Sequence, residues 1–243
     1  MEKINKNTGI FILNYNGVNW LKKTLDSIIK YSSNTNIIII DNNSYDGSIE
    51  FIKLRFPQIE LRVNSENIGF SKAYNKVLLN EKRFDYFVLL NNDVLVTKDW
   101  LQGLRELTKH EDIGIIQPKI KNFSLNNENN SDIGYSFSNF FDYAGAAGGF
   151  IDKIGIPFCR GRILQHIEKD TGQYDENIEI FWASGACFLI KSKLFHKLNG
   201  FDEDLFMHHE EIDLCWRAQE FNEKIFYCSS STIYHYGGGT LED

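Results

Sequence analysis

Proline is nearly missing from this 243-residue chain, which has three, and cysteine is scarce, with four. Cys159, Cys187, Cys215 and Cys228 form no C-x-x-C pair and sit mostly among apolar neighbours, as in Ala186-Cys187-Phe188 and Leu214-Cys215-Trp216. That argues against a disulfide framework and a cysteine-based zinc site, and it predicts buried thiols in a reducing compartment. No apolar run reaches the roughly 18–20 residues needed to cross a bilayer. The polar start, Met1 to Thr8, lacks the apolar segment of a signal peptide. Basic charge is also short: 26 Lys and Arg stand against 33 Asp and Glu, a net charge of −7. Such a balance argues against a general nucleic-acid binder. Neither a G-x-x-x-x-G-K-[ST] phosphate loop nor a G-x-G-x-x-G turn after the first strand is present. The expected location is cytoplasmic, at most in peripheral contact with the inner face of the plasma membrane.

What the chain does have is an ordinary globular composition, 42% hydrophobic and 24% charged, with 24 asparagines. Its length is enough for a sizeable core. Short apolar runs at Gly9–Leu13, Ile37–Ile40, Ile59–Val63, Tyr86–Leu90 and Ile113–Gln117 read as strands. Between them, helical spacing appears from Trp20 to Ile29, from Ser48 to Phe56, from Phe70 to Leu79 and from about Asp99 to His110. The alternation predicts an α/β protein with an open, mostly parallel sheet and helices on both faces. Residues 121–180 read as polar, Asn- and Gly-rich and irregular, a segment that shapes a substrate pocket. After it come an apolar segment (Ile180 to Ile190), helices near Lys193–Leu198 and Glu210–Phe221, and strands near Ile225–Cys228 and Thr232–Tyr234.

Four successive strands end in polar clusters: Asn14-Tyr15-Asn16, Asp41-Asn42-Asn43, Asn64 through Gly69, and Asn91-Asn92-Asp93. In a parallel sheet these ends share one edge, where ligands bind. Asn and Asp also make good turns after strands, so a single cluster carries little weight. With no phosphate loop, the charge of a bound diphosphate must be neutralised otherwise, most simply by a divalent cation held by oxygen ligands, and Asp93 after an apolar strand suits that role. A second polar region opens a helix with Glu210, Glu211 and Asp213, which also complement the helix dipole. His235, at a strand end, is able to ligate a metal through a neutral ring nitrogen. Arg160 and Arg162 are placed to reach a diphosphate or an anionic acceptor, or to be solvated surface. Trp182 reads as a sugar-ring platform or as a core residue.

In this order the segments resemble the family 2 inverting glycosyltransferases with a GT-A fold, in the bacterial surface-polysaccharide, rhamnosyltransferase-like branch. The resemblance rests on Asn14-Tyr-Asn-Gly17, Ile40-Asp-Asn-Asn-Ser-Tyr-Asp-Gly-Ser48, Asn67-Ile-Gly-Phe70 with Asn75, and Leu90-Asn-Asn-Asp93. It continues through Trp182-Ala-Ser-Gly-Ala186, Gly200-Phe-Asp-Glu203, Glu210-Glu-Ile-Asp-Leu-Cys-Trp-Arg217 and His235.

The resemblance implies one GT-A domain over 1–243, with a nucleotide-sugar half (1–120) and a mixed acceptor-binding and catalytic half (121–243). It implies that Asp41 bonds the donor base and that Asn14 and Asn16 line the base and ribose. Tyr15, Asn43, Asn67, Gly69, Asn75, Asn91 and Asn92 complete the donor site. Asp93 and His235 are the implied ligands of Mg²⁺ or Mn²⁺. Glu211 stands in the slot of the general base, with Glu210 as the alternative and Asp213 beside them. Ser184, Gly185 and Ala186 join Trp182 on the acceptor side. Asn91 replaces the first acid of the usual D-x-D, and Glu211 is one methylene longer than the usual Asp. The implied partners are a nucleotide-sugar donor, with a dTDP- or UDP-sugar such as dTDP-rhamnose expected, and a lipid-linked or oligosaccharide acceptor. The rival readings are a nucleotidyltransferase on a similar sheet, whose basic Gly-rich loop has no counterpart here, and an inactive nucleotide-sugar-binding relative.

Overall fold

The computed structural model describes residues 7–125, 135–205 and 209–237. The polar run Asn126–Asn130 and all but the last two residues of the Met1–Thr8 start lie outside the described residues. The first half alternates as read from the sequence: β1 (Thr8–Asn14), α1 (Val18–Tyr31), β2 (Asn36–Asp41), α2 (Ser48–Arg55), β3 (Glu60–Val63), α3 (Phe70–Leu78), β4 (Tyr86–Asn91), β5 (Val94–Val96), α4 (Trp100–Leu107) and β6 (Ile113–Leu125). There follow β7 (Tyr135–Phe141), β8 (Gly149–Ile151), β9 (Pro157–Cys159), β10 (Arg162–Ile163), β11 (His166–Ile167), β12 (Ile178–Ile180), β13 (Cys187–Lys191), α5 (Ser192–Lys197), α6 (Glu210–Glu220) and β14 (Lys224–His235).

One sheet runs in the order β12-β14-β6-β13-β4-β1-β2-β3, with β5 on β14 and β7 on β6. β1 to β4 pair in parallel, and so do β14 and β6. β13 lies antiparallel between β4 and β6. The fold is therefore α/β with a mostly parallel sheet: six strands share one direction, β13 is reversed at its centre, and β12, β5 and β7 are reversed at its periphery. The two C-terminal strands expected from the sequence are one, β14, interrupted by a register shift between Cys228 and Thr232.

Both faces of the sheet are buried, which is why its central strands read as continuous apolar runs rather than alternating ones. Ile10 and Ile12 point to the side covered by α1, α2 and α4, where Leu21, Leu25, Ile28, Ile52, Trp100 and Leu104 pack. Phe11 points to the opposite side, covered by α3, α5 and α6 through Tyr74, Leu78, Phe195 and Leu214. Leu21, Leu25 and Ile28 recur at i, i+4 and i+7, the stripe that seats α1 on the sheet.

The segment read as irregular is built rather than loose. β7 extends the sheet from β6, and β8–β9 and β10–β11 form two small hairpins. Their pairings are only two or three residues long, too short to show as periodicity. The run Ala144–Gly149 lies against the indole of Trp182, whose Nε1–H donates to the Phe150 carbonyl at 2.9 Å. Glycine is needed there because a Cβ at Gly149 would sit 2.0 Å from the indole Cε2. Trp182 is thus the buried anchor of this loop, not an open sugar platform. Gly149→Ala is expected to destabilise the protein by about 1–3 kcal/mol, the usual cost of overpacking. A lower urea midpoint at unchanged slope would register it; an unaltered midpoint would show that the loop yields freely.

Candidate active site

Because β1, β2 and β4 are parallel neighbours, their C-terminal ends share an edge, with Asn14 level with Asp41 and Leu13 level with Asn91. The polar residues there bond mainly to one another. Asn14, fully buried, donates through Nδ2 to Asp41 Oδ2 (2.8 Å) and Ser44 Oγ (3.2 Å), and its Oδ1 accepts from Asn92 Nδ2 at 2.9 Å. Asp41 Oδ1 accepts the Ser44 amide at 2.7 Å, and its Oδ2 also accepts the Ser44 hydroxyl at 2.8 Å. A second knot centres on Asn42, which accepts from Asn64 Nδ2 (2.8 Å) and donates to Asn67 Oδ1 and the Gly69 carbonyl, both at 3.1 Å. Gly17 packs over the first knot: a Cβ there would lie 2.2 Å from Asn92 Nδ2.

These bonds join several of the residues expected at the donor to one another. Asn14, Asp41 and Asn92 are enclosed, and their polar groups are committed to holding the strand ends. Asn75 is also committed elsewhere: its amide bonds the Phe201 N–H and carbonyl (both 2.9 Å) and Glu203 Oε1 (3.1 Å), which ties α3 to the Gly200-Phe201 turn. Facing outward on this edge are Tyr15, Asn43, Tyr45 and Asn67. The rings of Tyr15 and Tyr45 meet edge to face at 6.3 Å. Asn16, half-buried, accepts the Tyr45 amide at 3.0 Å. The turn at Gly69 runs through φ 80°, ψ −178°, a conformation open only to glycine. Tyr45 carries no site signal in the sequence beyond its place in the Ile40–Ser48 motif; its 82% exposure beside a polar crevice is what marks it.

Beyond the end of β4, Asp93 is 1% exposed and neither of its oxygens makes a hydrogen bond among the described residues. β14 runs beside β5, with His235 level with Val94, and so delivers the imidazole to Asp93. His235 Nε2 lies 3.3 Å from Asp93 Oδ1, and Nδ1 lies 3.3 Å from Asp142 Oδ1. Burial works against a charged imidazole here, but Asp93 and Asp142 outweigh it and hold the His235 pKa well above its ordinary value. No Lys or Arg among the described residues forms an ion pair with either carboxylate, so one imidazole faces two buried acids. That uncompensated charge is costly without a cation. Sequence reasoning misses Asp142, which falls just past the end of β7 in the segment read as irregular. No group of three or more His, Cys, Asp and Glu among the described residues is arranged as a metal cage. Asp93 and His235 instead offer one carboxylate and one imidazole, a donor set that fits Mn²⁺ or Mg²⁺ with further oxygens from a diphosphate and water.

The segment 184–186 links this edge to α6. The Asn91 amide donates to the Ala186 carbonyl at 3.0 Å. The Ser184 amide donates to Gln117 Oε1 at 2.7 Å, and Gln117 Nε2 reaches the Gly145 carbonyl at 2.6 Å. Gly185 lies beside Glu211, close enough that a Cβ would touch the carboxylate at 3.8–3.9 Å. Glu211 lies in the first turn of α6. Burial, reinforced by the charge of Glu210, pushes its carboxyl up to about 7. Asp213 is engaged elsewhere, its Oδ2 accepting from Arg217 Nε and Nη2 at 2.8 and 2.6 Å. That arginine in turn donates to the Leu198 and Gly200 carbonyls, so Asp213 braces a turn. Arg160 is stacked on the rings of Tyr174 and Tyr227, 4.6 and 5.0 Å from their centroids, with Nε bonded to the Ala147 carbonyl. Arg162 donates to the Tyr143 and Leu164 carbonyls. Both arginines brace the hairpin region.

The topology and the edge it builds place the protein in the GT-A class. It superposes on GalNAc-T7 solved with UDP, GalNAc and Mn²⁺ (TM-score 0.71, 20% identity, 95% of this chain and 43% of that one). It also superposes on the mannosyltransferase PcManGT of Pyrobaculum calidifontis, solved with GDP-Man and Mn²⁺ (TM-score 0.64, 13% identity, 96% and 58%). The chain belongs to Glycosyl transferase family 2, whose profile matches residues 9–198. Among curated relatives, rhamnosyltransferase WbbL of Escherichia coli K12 is 24% identical over 241 residues, covering 93% of this chain and 82% of its own. The N-acetylglucosaminyl-diphospho-decaprenol L-rhamnosyltransferase of Mycobacterium tuberculosis is 20% identical over 211 residues. The match takes in 82% of this chain and 66% of the mycobacterial protein, so the chain spans just under two thirds of that relative's length. Among the described residues, no helix is long and apolar enough to cross a membrane.

A carboxyl raised in the folded state favours the protonated form. Its stabilising contribution is therefore full below the ordinary pKa of 4.5 and lost as the pH rises through about 7. Glu211→Gln is accordingly expected to raise the urea midpoint at pH 8, with the gain shrinking toward pH 5. A variant less stable than wild type at pH 8 would contradict a carboxylate raised by desolvation.

Proposed function

We propose that the protein transfers one sugar from a nucleoside-diphosphate sugar, a dTDP- or UDP-sugar such as dTDP-rhamnose, to an acceptor hydroxyl with inversion. The setting is cell-surface polysaccharide synthesis on the cytoplasmic side of the membrane, with a lipid-linked or oligosaccharide acceptor. The observation that carries this reading is Glu211: a carboxyl pushed up to about 7, beside the segment that links α6 to the diphosphate edge. A base whose pKa matches the working pH takes up a proton efficiently and loses it again. The family membership and the rhamnosyltransferase relatives support the same assignment.

In the step we infer, the acceptor oxygen attacks the anomeric carbon from the face opposite the leaving group. A new C–O bond forms as the bond to the diphosphate oxygen breaks; the proton passes to Glu211 and the nucleoside diphosphate leaves. Tyr15, Asn43, Tyr45 and Asn67 supply the outward surface for the nucleoside. The bonded knots of Asn14, Asp41, Asn42 and Asn92 keep that surface in register. Asp93 and His235 would hold Mg²⁺ or Mn²⁺, which supplies neutralisation of the negative charge on the departing diphosphate.

Glu211→Gln should lower transfer by about 10²–10⁴-fold, the usual size of a lost general base, while nucleoside-diphosphate binding persists. In the wild type, kcat/KM should climb with pH through about 7 and level above it, because the deprotonated carboxylate is the active form. Turnover measured across a panel of UDP-, dTDP- and GDP-sugars decides the matter; wild-type rates in the Gln variant would remove Glu211 as base. For the metal, Asp93→Ala should weaken UDP or dTDP binding in Mn²⁺ by more than about tenfold, and a chelator should bring the wild type to the same level. Equal affinity with and without chelator would rule the cation out.

A further inference from the structure

Asp142 takes no part in the reading above, yet it is fully buried and one of its oxygens, Oδ2, has no hydrogen-bond partner among the described residues. Its position is enforced from several sides. The Asp142 amide donates to the Ile120 carbonyl at 3.1 Å, which pins the end of β7 to β6. Asp142 Oδ1 accepts the Ala144 amide at 2.8 Å and lies 3.3 Å from His235 Nδ1, a buried nitrogen with no formed hydrogen bond among the described residues. The ring of Tyr143, next in sequence, lies nearly parallel to the His235 ring, with centroids 6.3 Å and planes 21° apart. A Cβ at Gly237 would press on the Tyr143 ring at 2.5 Å, so the strand leaving His235 is fitted against the same loop.

Imidazole chemistry gives this arrangement a direction. For Nε2 to offer its lone pair on the Asp93 side, the ring proton must sit on Nδ1, and a buried N–H there needs an acceptor. Asp142 is the carboxylate on that side, with Oδ1 3.3 Å from Nδ1. We propose that Asp142 is a positioning residue of the cation site: it holds His235 as the Nδ1–H tautomer with Nε2 presented beside Asp93. This rests on the proposed role of Asp93 and His235 as cation ligands and adds the group that orients one of them. Asp142 belongs to the loop that also carries Gly145 and Gly149, so the insertion after β7 would shape the cation site as well as pack against Trp182.

The test uses Mn²⁺ alone, titrated into the purified chain and followed by the EPR signal of the free ion, with thermal melts to establish folding. Wild type should take up Mn²⁺, Asp93→Ala should abolish uptake, and Asp142→Ala should weaken it about 10–100-fold. The near-isosteric Asp142→Asn, which keeps a hydrogen-bond acceptor, should fall between Asp142→Ala and wild type. In the Mg²⁺-loaded wild type, ¹⁵N NMR of the His235 ring should show Nδ1 protonated and Nε2 bare, a readout that needs no variant. Folded Asp142 variants that bind Mn²⁺ as wild type does, or a ring protonated at Nε2, would overturn the proposal while leaving the cation site standing. No Mn²⁺ uptake by the wild type would instead overturn the cation site itself, and the positioning role with it.

Discussion

An amide side chain cut off from water must satisfy its donors and acceptor within the protein, and Asn14 meets that constraint by bonding three different segments at once. Asp41 ends the neighbouring strand, Ser44 lies in the loop beyond it, and Asn92 follows the strand on the other side. Loss of the amide would leave a buried carboxylate and a buried amide short of partners, so the geometry of three strand ends depends on one residue. Parallel ladders fix strands along their length but leave their C-terminal ends free to splay. The Asn14 and Asn42 knots supply the missing restraint at the edge where the proposed donor would meet a preformed surface. Gly17 belongs to the same constraint, because α1 can start there only if nothing projects onto the knot.

This arrangement explains which parts of the site are legible in the sequence. The four strands and their polar ends can be read directly, since a β-branched or aromatic run stopping at Asn or Asp is a local signal. What each polar residue does cannot be read. Asn14 and Asn43 look alike in the chain, but one is enclosed by three partners and the other faces solvent. The difference is set by residues 27 to 78 positions away. Asn75 shows the same limit, since its partners lie more than 120 residues downstream. The hairpins between β7 and β12 escape because two- and three-residue pairings leave no periodicity, and Gly- and Ala-rich sequence is the same whether it serves flexibility or close packing on an indole. Asp142 is hidden for a related reason: an acidic residue gives no sign in sequence that it will be fully buried.

The cation reading and the net acidity of the chain bear on each other. A protein with a charge of −7 repels an anionic donor at long range, so attraction has to be generated locally. Neither Arg160 nor Arg162 supplies it directly, as both are engaged in packing and carbonyl contacts. Among the described residues the edge that would receive a diphosphate instead carries buried acids around one imidazole. Such a cluster raises the cost of folding unless a cation neutralises it, and a cation bound there turns a repulsive edge into an attractive one. Donor binding and relief of buried charge would then be the same event.

The opening of α6 shows most directly that role follows from surroundings rather than residue type. Glu210, Glu211 and Asp213 lie within one turn, where the helix dipole favours negative charge at each. Asp213 meets the guanidinium of Arg217 and becomes a brace for the Leu198–Gly200 turn. Glu211, one position after the buried Glu210 and against Gly185, has no such cation beside it among the described residues, and desolvation governs it. The dipole acts on both residues and so cannot be what separates them; the difference is the presence or absence of a paired arginine. A carboxylate neutralised by an ion pair is a poor proton acceptor, whereas one held near neutrality by burial is ready to take a proton from an attacking hydroxyl. The cost of keeping Glu211 unpaired falls on the stability of the fold. Under the proposed reading, that cost is what places an unpaired carboxylate where an attacking hydroxyl would give up its proton.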